Sequence, residues 1–210
     1  MSFDRLPRFH EPARLAVLLS GSGRTLENLL AHIDSGDLPA AIPLVIASRE
    51  CPGAEKARAA GIKTHVHAGP LDREWLDGLC REHEIDLIVL AGYLKLVPIT
   101  DYTRDRIVNI HPALLPSFGG KGMHGAAVHR AVIEAAGRGE VAESGCTVHF
   151  ADEQYDTGST IVQLRCPLDP NDTPEQLAKR VFALECEAFP RAIRMLIERN
   201  AAASRTKSNA

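Results

Sequence analysis

The chain has 210 residues, of which 45% are hydrophobic and 24% are charged, the composition of an ordinary soluble globular protein. This length suits one large domain with a full core or two small ones. The formal net charge of −3 implies no broad basic surface, so nucleic acid is not expected as a partner. No apolar stretch is long enough to span a bilayer, so we expect no membrane contact.

The five cysteines are scattered along the chain and show no C-x-x-C spacing. This usage is typical of a reducing compartment and provides no zinc motif, so we expect a cytoplasmic protein without a metal site. The first residues lack the continuous apolar segment of a secretory signal. Residues 1–12 are therefore expected to form an irregular N-terminal extension.

Short apolar runs alternate with amphipathic stretches through the first half of the chain. Such alternation predicts a mostly parallel sheet with helices on both faces. The runs predict strands at 14–19, 42–47, 62–67, 85–90 and 106–111, and the stretches between them predict helices near 26–33, 53–60 and 71–83.

The second half of the chain has a different pattern. A helix is predicted near 126–136, and two strands, 145–151 and 159–166, are joined by the turn-rich segment 152–158. These two strands predict an antiparallel C-terminal part of the same sheet. The fold class is therefore α/β, a single Rossmann-like domain over residues 13–200.

A last helix is predicted to begin at a capping box. Thr173 suits the N-cap, Pro174 the first helical position and Gln176 the third. Pro190 is expected to kink this helix or to end its first half. Residues 201–210 are small and polar and are expected to form a disordered tail.

The most informative segment is Asn109-Ile110-His111-Pro112, at the end of the fifth predicted strand. Side chains two residues apart on a strand point to the same side, so Asn109 and His111 can face one site. An amide donor and an imidazole suit a reaction that builds a negative oxygen and moves a proton. The alternative is a structural histidine before a proline-rich turn.

The loop Ser20–Thr25 follows the first strand and enters a helix N-terminus. Its glycines allow close approach, and the free N–H groups with the helix dipole attract an anion. Leu26 stands where a dinucleotide-binding motif has its third glycine, so a phosphomonoester fits better than a dinucleotide. An ordinary glycine-rich turn is the competing interpretation.

The turn-rich segment 152–158 supplies acidic candidates for a partner of His111. A carboxylate next to His111 would raise its pKa and hold its ring. Spacing alone does not choose between Asp152 and Asp156, and a solvated acidic turn is the alternative.

Several segments occur together in the order that one known family has them. They resemble the phosphoribosylglycinamide formyltransferases, a family of folate-dependent enzymes, over residues 14–198. The matching segments are Ser20–Gly23, Leu90–Lys95, Asn109–Pro116, Gly145–Phe150 and Asp156–Gly158.

The resemblance implies roles for residues at the matching positions. Asn109 and His111 would be the catalytic pair, with Asp156 as their partner carboxylate. The ribonucleotide and its phosphate would be bound by Gly23, Arg24, Thr25 and Glu185. The folate would be bound by Leu94, Lys95, Leu96, Val97, Asn109, Asp152 and Asp156.

The implied reaction transfers a formyl group from 10-formyltetrahydrofolate, the co-substrate, to the amine of 5'-phosphoribosylglycinamide, in the third step of de novo purine synthesis. Asn109 and protonated His111 would stabilise the tetrahedral oxyanion. Both partners are small molecules, no metal or redox cofactor is needed, and the protein is expected to be a monomer or homodimer.

Three other functions compete with this one. A 10-formyltetrahydrofolate hydrolase uses similar residues with water as acceptor, but usually carries an N-terminal regulatory domain. A methionyl-tRNA formyltransferase needs a tRNA-binding domain and a basic surface. A nucleotide-binding module would bind NAD, which the incomplete glycine motif argues against.

Overall fold

The computed structural model describes residues 6–208, with side chains up to residue 205. The chain forms two compact units. The first consists of the residues up to Val108 together with those from Ile193 onward, and the second is Asn109–Ala192. The predicted limits of a single domain at 13 and 200 stay a prediction.

The first unit is an alternation of strands and helices. β1 pairs in parallel with β2 and with β4, and β2 pairs in parallel with β3. The predicted elements are all present, with small shifts at their ends. They are β1 (Ala13–Leu19), α1 (Arg24–Asp34), β2 (Ala40–Ala47), α2 (Pro52–Ala59), β3 (Lys63–Val66), α3 (Arg73–Glu82) and β4 (Leu87–Leu90).

The second unit begins at Asn109, within β5, and contains helices and a β-hairpin. β6 and β7 are antiparallel, as the change of pattern predicted. The elements are β5 (Ile107–His111), α4 (Ala126–Gly137), β6 (Glu143–Phe150), β7 (Thr160–Pro167) and α5 (Pro174–Ser208), the last of which extends into the first unit.

The strands of the described residues belong to one sheet in the order β3-β2-β1-β4-β5-β6-β7. The mostly parallel α/β fold with an antiparallel C-terminal part is therefore confirmed. β1 and β4 are almost entirely buried, which explains why they read as continuous apolar runs without alternation.

Two glycines bring the loop after β1 against α2. Gly53 N donates to Gly21 O at 3.0 Å. A Cβ on Gly53 would lie 2.9 Å from Gly21 O, and one on Gly23 would lie 2.6 Å from Gly53 Cα. Gly23 also has φ +75°, a conformation that favours glycine. The sequence therefore needs glycine at both positions to shape this loop.

Residues 6–12 form neither helix nor strand, and residues 1–5 lie outside the described residues. The extension is nevertheless anchored within the first unit. Phe9 is buried, and its N–H donates to Asn200 Oδ1 at 2.8 Å. The N–H of His10 donates to the buried Asp86 carboxylate at 3.0 Å.

The capping box at the start of α5 is confirmed. Thr173 N donates to Gln176 Oε1 at 2.8 Å, and Gln176 N donates to Thr173 Oγ1 at 3.2 Å. Each side chain thus accepts a hydrogen bond from the other residue's backbone at the helix start.

Of the two outcomes expected for Pro190, an end to the first half of α5 is wrong, because the helix continues past it, and a kink stays a prediction. A proline inside a helix costs about 3 kcal/mol. Burial of the neighbouring Ala188, Phe189, Ala192 and Ile193 offsets this cost.

The disordered tail from residue 201 is also contradicted, since α5 extends to Ser208. The three alanines from Ala201 have the highest helix propensity, and Ser204 Oγ donates to Asn200 O at 3.0 Å. Residues 209–210 lie outside the described part of the chain.

Among residues 6–208, no helix has both the length and the apolar character needed to cross a membrane.

We predict that Thr173→Ala lowers the free energy of unfolding by about 1 kcal/mol, because the cap to Gln176 is lost. Urea denaturation at neutral pH measures the change. Lys179→Ala, an exposed substitution in the same helix, is the matched control. Equal stabilities of the two variants would contradict the contribution assigned to the cap.

Candidate active site

The second unit brings the three predicted catalytic residues together. Asn109 and His111 lie at the end of β5, and Asp156 lies in the loop between β6 and β7. Asn109 Nδ2 donates to Asp156 Oδ1 at 3.3 Å, and His111 Nδ1 lies 3.5 Å from Asp156 Oδ2. The structure therefore selects Asp156, which spacing alone did not distinguish from Asp152.

The backbone around Asp156 holds its carboxylate towards β5. Asp156 has φ +59°, and Gly120 N donates to its Oδ2 at 2.9 Å. A Cβ on Gly158 would overlap the carbonyl of Phe150, so the loop folds back closely on the end of β6. This contact gives the Asp-x-Gly spacing a physical reason: the glycine permits the turn that aims the aspartate.

Both ring nitrogens of the buried His111 face polar atoms. Nε2 lies 2.8 Å from Phe118 O, which can only accept, so Nε2 carries a proton. In a neutral ring Nδ1 is then bare and faces Asp156. His111 can thus take a proton on Nδ1, where the carboxylate would stabilise the resulting cation.

The pKa of His111 lies below its ordinary value. Burial lowers the pKa of His111, and this effect outweighs the raising effects of Asp156 and the Phe118 carbonyl. Asp156 raises the pKa of His111, as expected of a carboxylate beside the ring, but desolvation of the charged ring is the larger effect. Burial alone would raise the pKa of Asp156, but the His149 ring, the His111 ring and Gly120 N–H hold it below its ordinary value.

A fourth polar residue, His149 on β6, belongs to this cluster and was missed. It is 1% exposed, and its Nε2 lies 3.1 Å from Asn109 Nδ2 and 3.5 Å from Asp156 Oδ1. A signal was present in the sequence. Thr147 and His149 are polar residues two apart among the otherwise apolar residues 145–150 of β6, a pattern that indicates one polar side.

The amide nitrogen of Asn109 contacts two polar groups of the protein. Its Nδ2 carries two hydrogens, and its two contacts are with His149 Nε2 and Asp156 Oδ1. The role of Asn109 as an oxyanion donor stays a prediction.

Thr147 and Gln163 fix the chain that follows His111. Thr147 Oγ1 donates to Ala113 O at 2.7 Å and accepts from Leu115 N at 3.0 Å. Gln163 Nε2 lies 2.9 Å from Thr147 Oγ1 and 3.1 Å from Leu115 O. The hairpin β6–β7 thereby sets the path of the segment that leads from His111 to Phe118.

The other two residues predicted in this unit, Asp152 and Glu185, have different neighbours from those of the Asp156 cluster. Asp152 Oδ1 accepts from Gln154 N at 3.0 Å and from Thr157 Oγ1 at 2.6 Å, so it organises its own loop. Glu185 lies half-buried on α5. Burial, with the charge of Glu185, raises the pKa of Cys146 to about 12. The ligand roles of Asp152 and Glu185 stay predictions.

The first unit contains the predicted phosphate loop. Gly23 is the N-cap of α1 and makes no side-chain cap hydrogen bond. Arg24 is exposed at the first position of the helix, and Thr25 is half-buried beside it. A helix N-terminus of this kind attracts an anion.

Ser20 joins this loop to the predicted folate-binding segment of the same unit. Its Oγ accepts from Ser48 Oγ at 2.7 Å and from Leu94 N at 3.2 Å. Leu94 and Leu96 are exposed large apolar side chains, at 47% and 45%, whereas Val97 is buried. These exposed leucines suit contact with a flat apolar ring.

Lys95, between the two exposed leucines, is not directed at an anion. Its Nζ donates to Gly69 O at 2.8 Å. Among the residues that the structure describes, no group of three or more His, Cys, Asp or Glu is placed to hold a metal ion.

Comparison with known proteins gives a consistent result. A formyl transferase family model matches residues 13–193. The chloroplastic phosphoribosylglycinamide formyltransferase of Arabidopsis thaliana is 40% identical over 202 residues, which cover 90% of this chain and 68% of that protein. Its counterpart in Vigna unguiculata is 39% identical over 88% of this chain, and the match spans 61% of the Vigna protein.

Similar solved structures include a glycinamide ribonucleotide transformylase from Symbiobacterium toebii, with a TM-score of 0.77 and 35% identity over 88% of this chain and 87% of that one. A formyltetrahydrofolate deformylase from Pseudomonas syringae has a TM-score of 0.74 and 25% identity, over 93% of this chain and 63% of that one. The deformylase is the more distant of the two in sequence.

We predict that stability falls as the pH decreases from about 7.5 to 5.5, partly through His111. Its pKa is lowered in the folded protein, so the unfolded chain takes up the proton first, near the ordinary value of 6.5. Stability is thus retained above that pH and lost below it.

Urea denaturation at several pH values measures this slope. His111→Gln should make the slope shallower without abolishing it, because burial also lowers the pKa of His65 and His129. An unchanged slope in His111→Gln would exclude the assigned contribution.

Proposed function

This chain belongs to the formyl transferase family, and we propose that it transfers a formyl group from 10-formyltetrahydrofolate to the amine of 5'-phosphoribosylglycinamide in de novo purine synthesis. The observation that carries the proposal is the contact of Asn109 and His111 with Asp156 at the end of β5. The match to the family over residues 13–193 supports it.

His111 is the proposed proton carrier. The substrate amine attacks the formyl carbon, a C–N bond forms, and the carbonyl electrons move to oxygen. The bare Nδ1 of neutral His111 takes the amine proton, and Asp156 stabilises the resulting imidazolium. The positive ring in turn stabilises the negative oxygen.

The second half of the reaction returns that proton. The carbonyl re-forms, the bond between carbon and the folate nitrogen breaks, and its electrons remain on that nitrogen. The proton then passes from His111 Nδ1 to the leaving nitrogen. The lowered pKa of His111 suits this role, because a neutral ring can accept a proton and readily release it.

Substrate-binding roles follow from the same proposal. Gly23, Arg24 and Thr25 at the start of α1 bind the phosphate of the ribonucleotide. Leu94 to Val97, with Asp152 and Asp156, bind the folate, and Glu185 binds the ribonucleotide. A cytoplasmic location also stays a proposal, since the Arabidopsis relative is a chloroplast protein.

An absorbance assay of folate release tests the function directly. Purified protein is mixed with 10-formyltetrahydrofolate, or its dideaza analogue, in the presence and absence of the ribonucleotide. Release that requires the ribonucleotide supports the transferase. Release with water alone would mean the hydrolase, which the similarity to the Pseudomonas deformylase keeps as the second candidate. No release in either case would contradict both.

We predict that His111→Ala and Asp156→Asn each reduce turnover on the order of a hundredfold or more, because proton transfer and its charge partner are lost. Steady-state kinetics with both substrates measures the effect. His32→Ala, on α1, is the matched control and should retain activity. Near wild-type turnover in either site variant would exclude the proposed role.

We predict that Arg24→Ala raises the KM for the ribonucleotide about tenfold, while the KM for the folate is unchanged. The reason is loss of one positive charge beside the phosphate at the helix N-terminus. Arg191→Ala, an exposed arginine on α5, is the control. An equal rise in both KM values would argue against a phosphate contact.

A further inference from the structure

Ser20 lies at the carboxyl end of β1, which is the middle one of three neighbouring strands in the order β2-β1-β4. Backbone hydrogen bonds on the two sides of β1 reach Ser48 N, which donates to Leu19 O at 3.0 Å, and Ala91 N, which donates to Leu18 O at 2.8 Å. Beyond these bonds, the side chain of Ser20 continues the connection on both sides. This edge of a parallel sheet is the one at which ligands bind.

Two consecutive residues at the end of β2 hold Ser20 in place. Ser48 Oγ donates to Ser20 Oγ at 2.7 Å, and Arg49 Nε donates to Ser20 O at 3.0 Å. Both serines are buried, with 4% of Ser20 and 8% of Ser48 exposed. The side-chain oxygen and the main-chain oxygen of Ser20 are therefore both fixed by the neighbouring strand.

The hydroxyl of Ser20 also binds the segment that follows β4. Leu94 N donates to Ser20 Oγ at 3.2 Å. A hydroxyl oxygen has two lone pairs, and those of Ser20 accept from Ser48 Oγ and from Leu94 N. Because both acceptor positions are occupied by the protein, this oxygen acts on Leu94 and does not accept a hydrogen bond from a ligand.

The position of Leu94 depends on its backbone contact. The chain turns at Gly92, which has φ +76°, and the Leu94 side chain is 47% exposed. A side chain with this exposure has few packing contacts that could hold it. The hydrogen bond from Leu94 N to Ser20 Oγ therefore fixes where the exposed leucine lies.

We propose that Ser20 is a positioning residue for the folate and acts through the Leu94 N–H. This inference rests on the proposed function, which assigns the folate to residues 94–97 and the phosphate of the ribonucleotide to residues 23–25. Ser20 transmits the fixed geometry of the loop after β1 to the first residue of the folate-binding segment. A ligand that finds this segment already ordered binds more tightly, because less entropy is lost on binding.

Loss of the hydroxyl separates the two substrates. We expect Ser20→Ala to raise the KM for the folate about tenfold, because Leu94 N–H loses its acceptor, while kcat and the KM for the ribonucleotide change less than about twofold. The bond from Arg49 to the main-chain oxygen of Ser20 is retained in this variant.

Ser144→Ala is the matched control, since it makes the same change at a serine that is 2% exposed and whose Oγ has no hydrogen-bond partner among the described residues. It should leave all three kinetic parameters unchanged. Equal rises of the folate KM in the two variants, or a loss of kcat alone in Ser20→Ala, would overturn the proposal.

A double-mutant cycle tests whether Ser48 acts through the same oxygen. Ser48→Ala leaves the acceptor of Leu94 N–H in place and should raise the KM for the folate by a smaller factor, about threefold. In a Ser20→Ala background it should cause little further rise, because the oxygen that it orients is absent. Rises that multiply would contradict the proposal. If Ser20→Ala does not fold, an unchanged folate KM in Ser48→Ala has the same meaning.

A measurement without substrates keeps this inference separate from the proposed function. Amide hydrogen exchange of the whole protein, followed by NMR, should show Leu94 N–H exchanging about tenfold faster in Ser20→Ala than in the wild type, and unchanged in Ser144→Ala. Unchanged exchange in Ser20→Ala would overturn the proposal even if formyl transfer were confirmed. Faster exchange together with a raised folate KM would support it even if the formyl acceptor were water.

Discussion

The site in the second unit depends on one buried carboxylate. Asp156 accepts hydrogen bonds from Asn109 Nδ2 and Gly120 N, and the rings of His111 and His149 lie 3.5 Å from its oxygens. A buried negative charge is stable only if hydrogen-bond donors such as Asn109 Nδ2 and Gly120 N compensate for lost water. The same charge attracts a proton to His111 without holding it, because burial lowers the pKa of that ring.

Packing restricts the geometry around this carboxylate. Thr147 holds both Ala113 O and Leu115 N, and Gly158 lies where any side chain would overlap the Phe150 backbone. These contacts use backbone atoms, which have few alternative positions once the hairpin is formed. The polar cluster is therefore preorganised by β6, β7 and the loop between them, as efficient catalysis requires.

The phosphate loop in the first unit follows a different principle, because its proposed chemistry belongs to the backbone. The helix start at Gly23 provides N–H groups, and contact with Gly53 excludes side chains at both positions. Ser20 connects this loop to Leu94 through a single hydroxyl. In this loop the small residues leave the backbone N–H groups accessible to a ligand, whereas in the second unit the proposed chemistry depends on specific polar side chains.

The sequence by itself determined the order of strands and helices, the capping box of α5, and the candidates Asn109 and His111. These features depend on local periodicity and spacing. Spacing did not separate Asp156 from Asp152, since loop 152–158 is distant from β5 in sequence. The tertiary structure brings Asp156, and not Asp152, into contact with Asn109 and His111, and it adds His149 to the cluster. The tertiary structure also lowers the pKa of His111. Burial of the ring outweighs the charge of Asp156, and burial is a property of the packed chain.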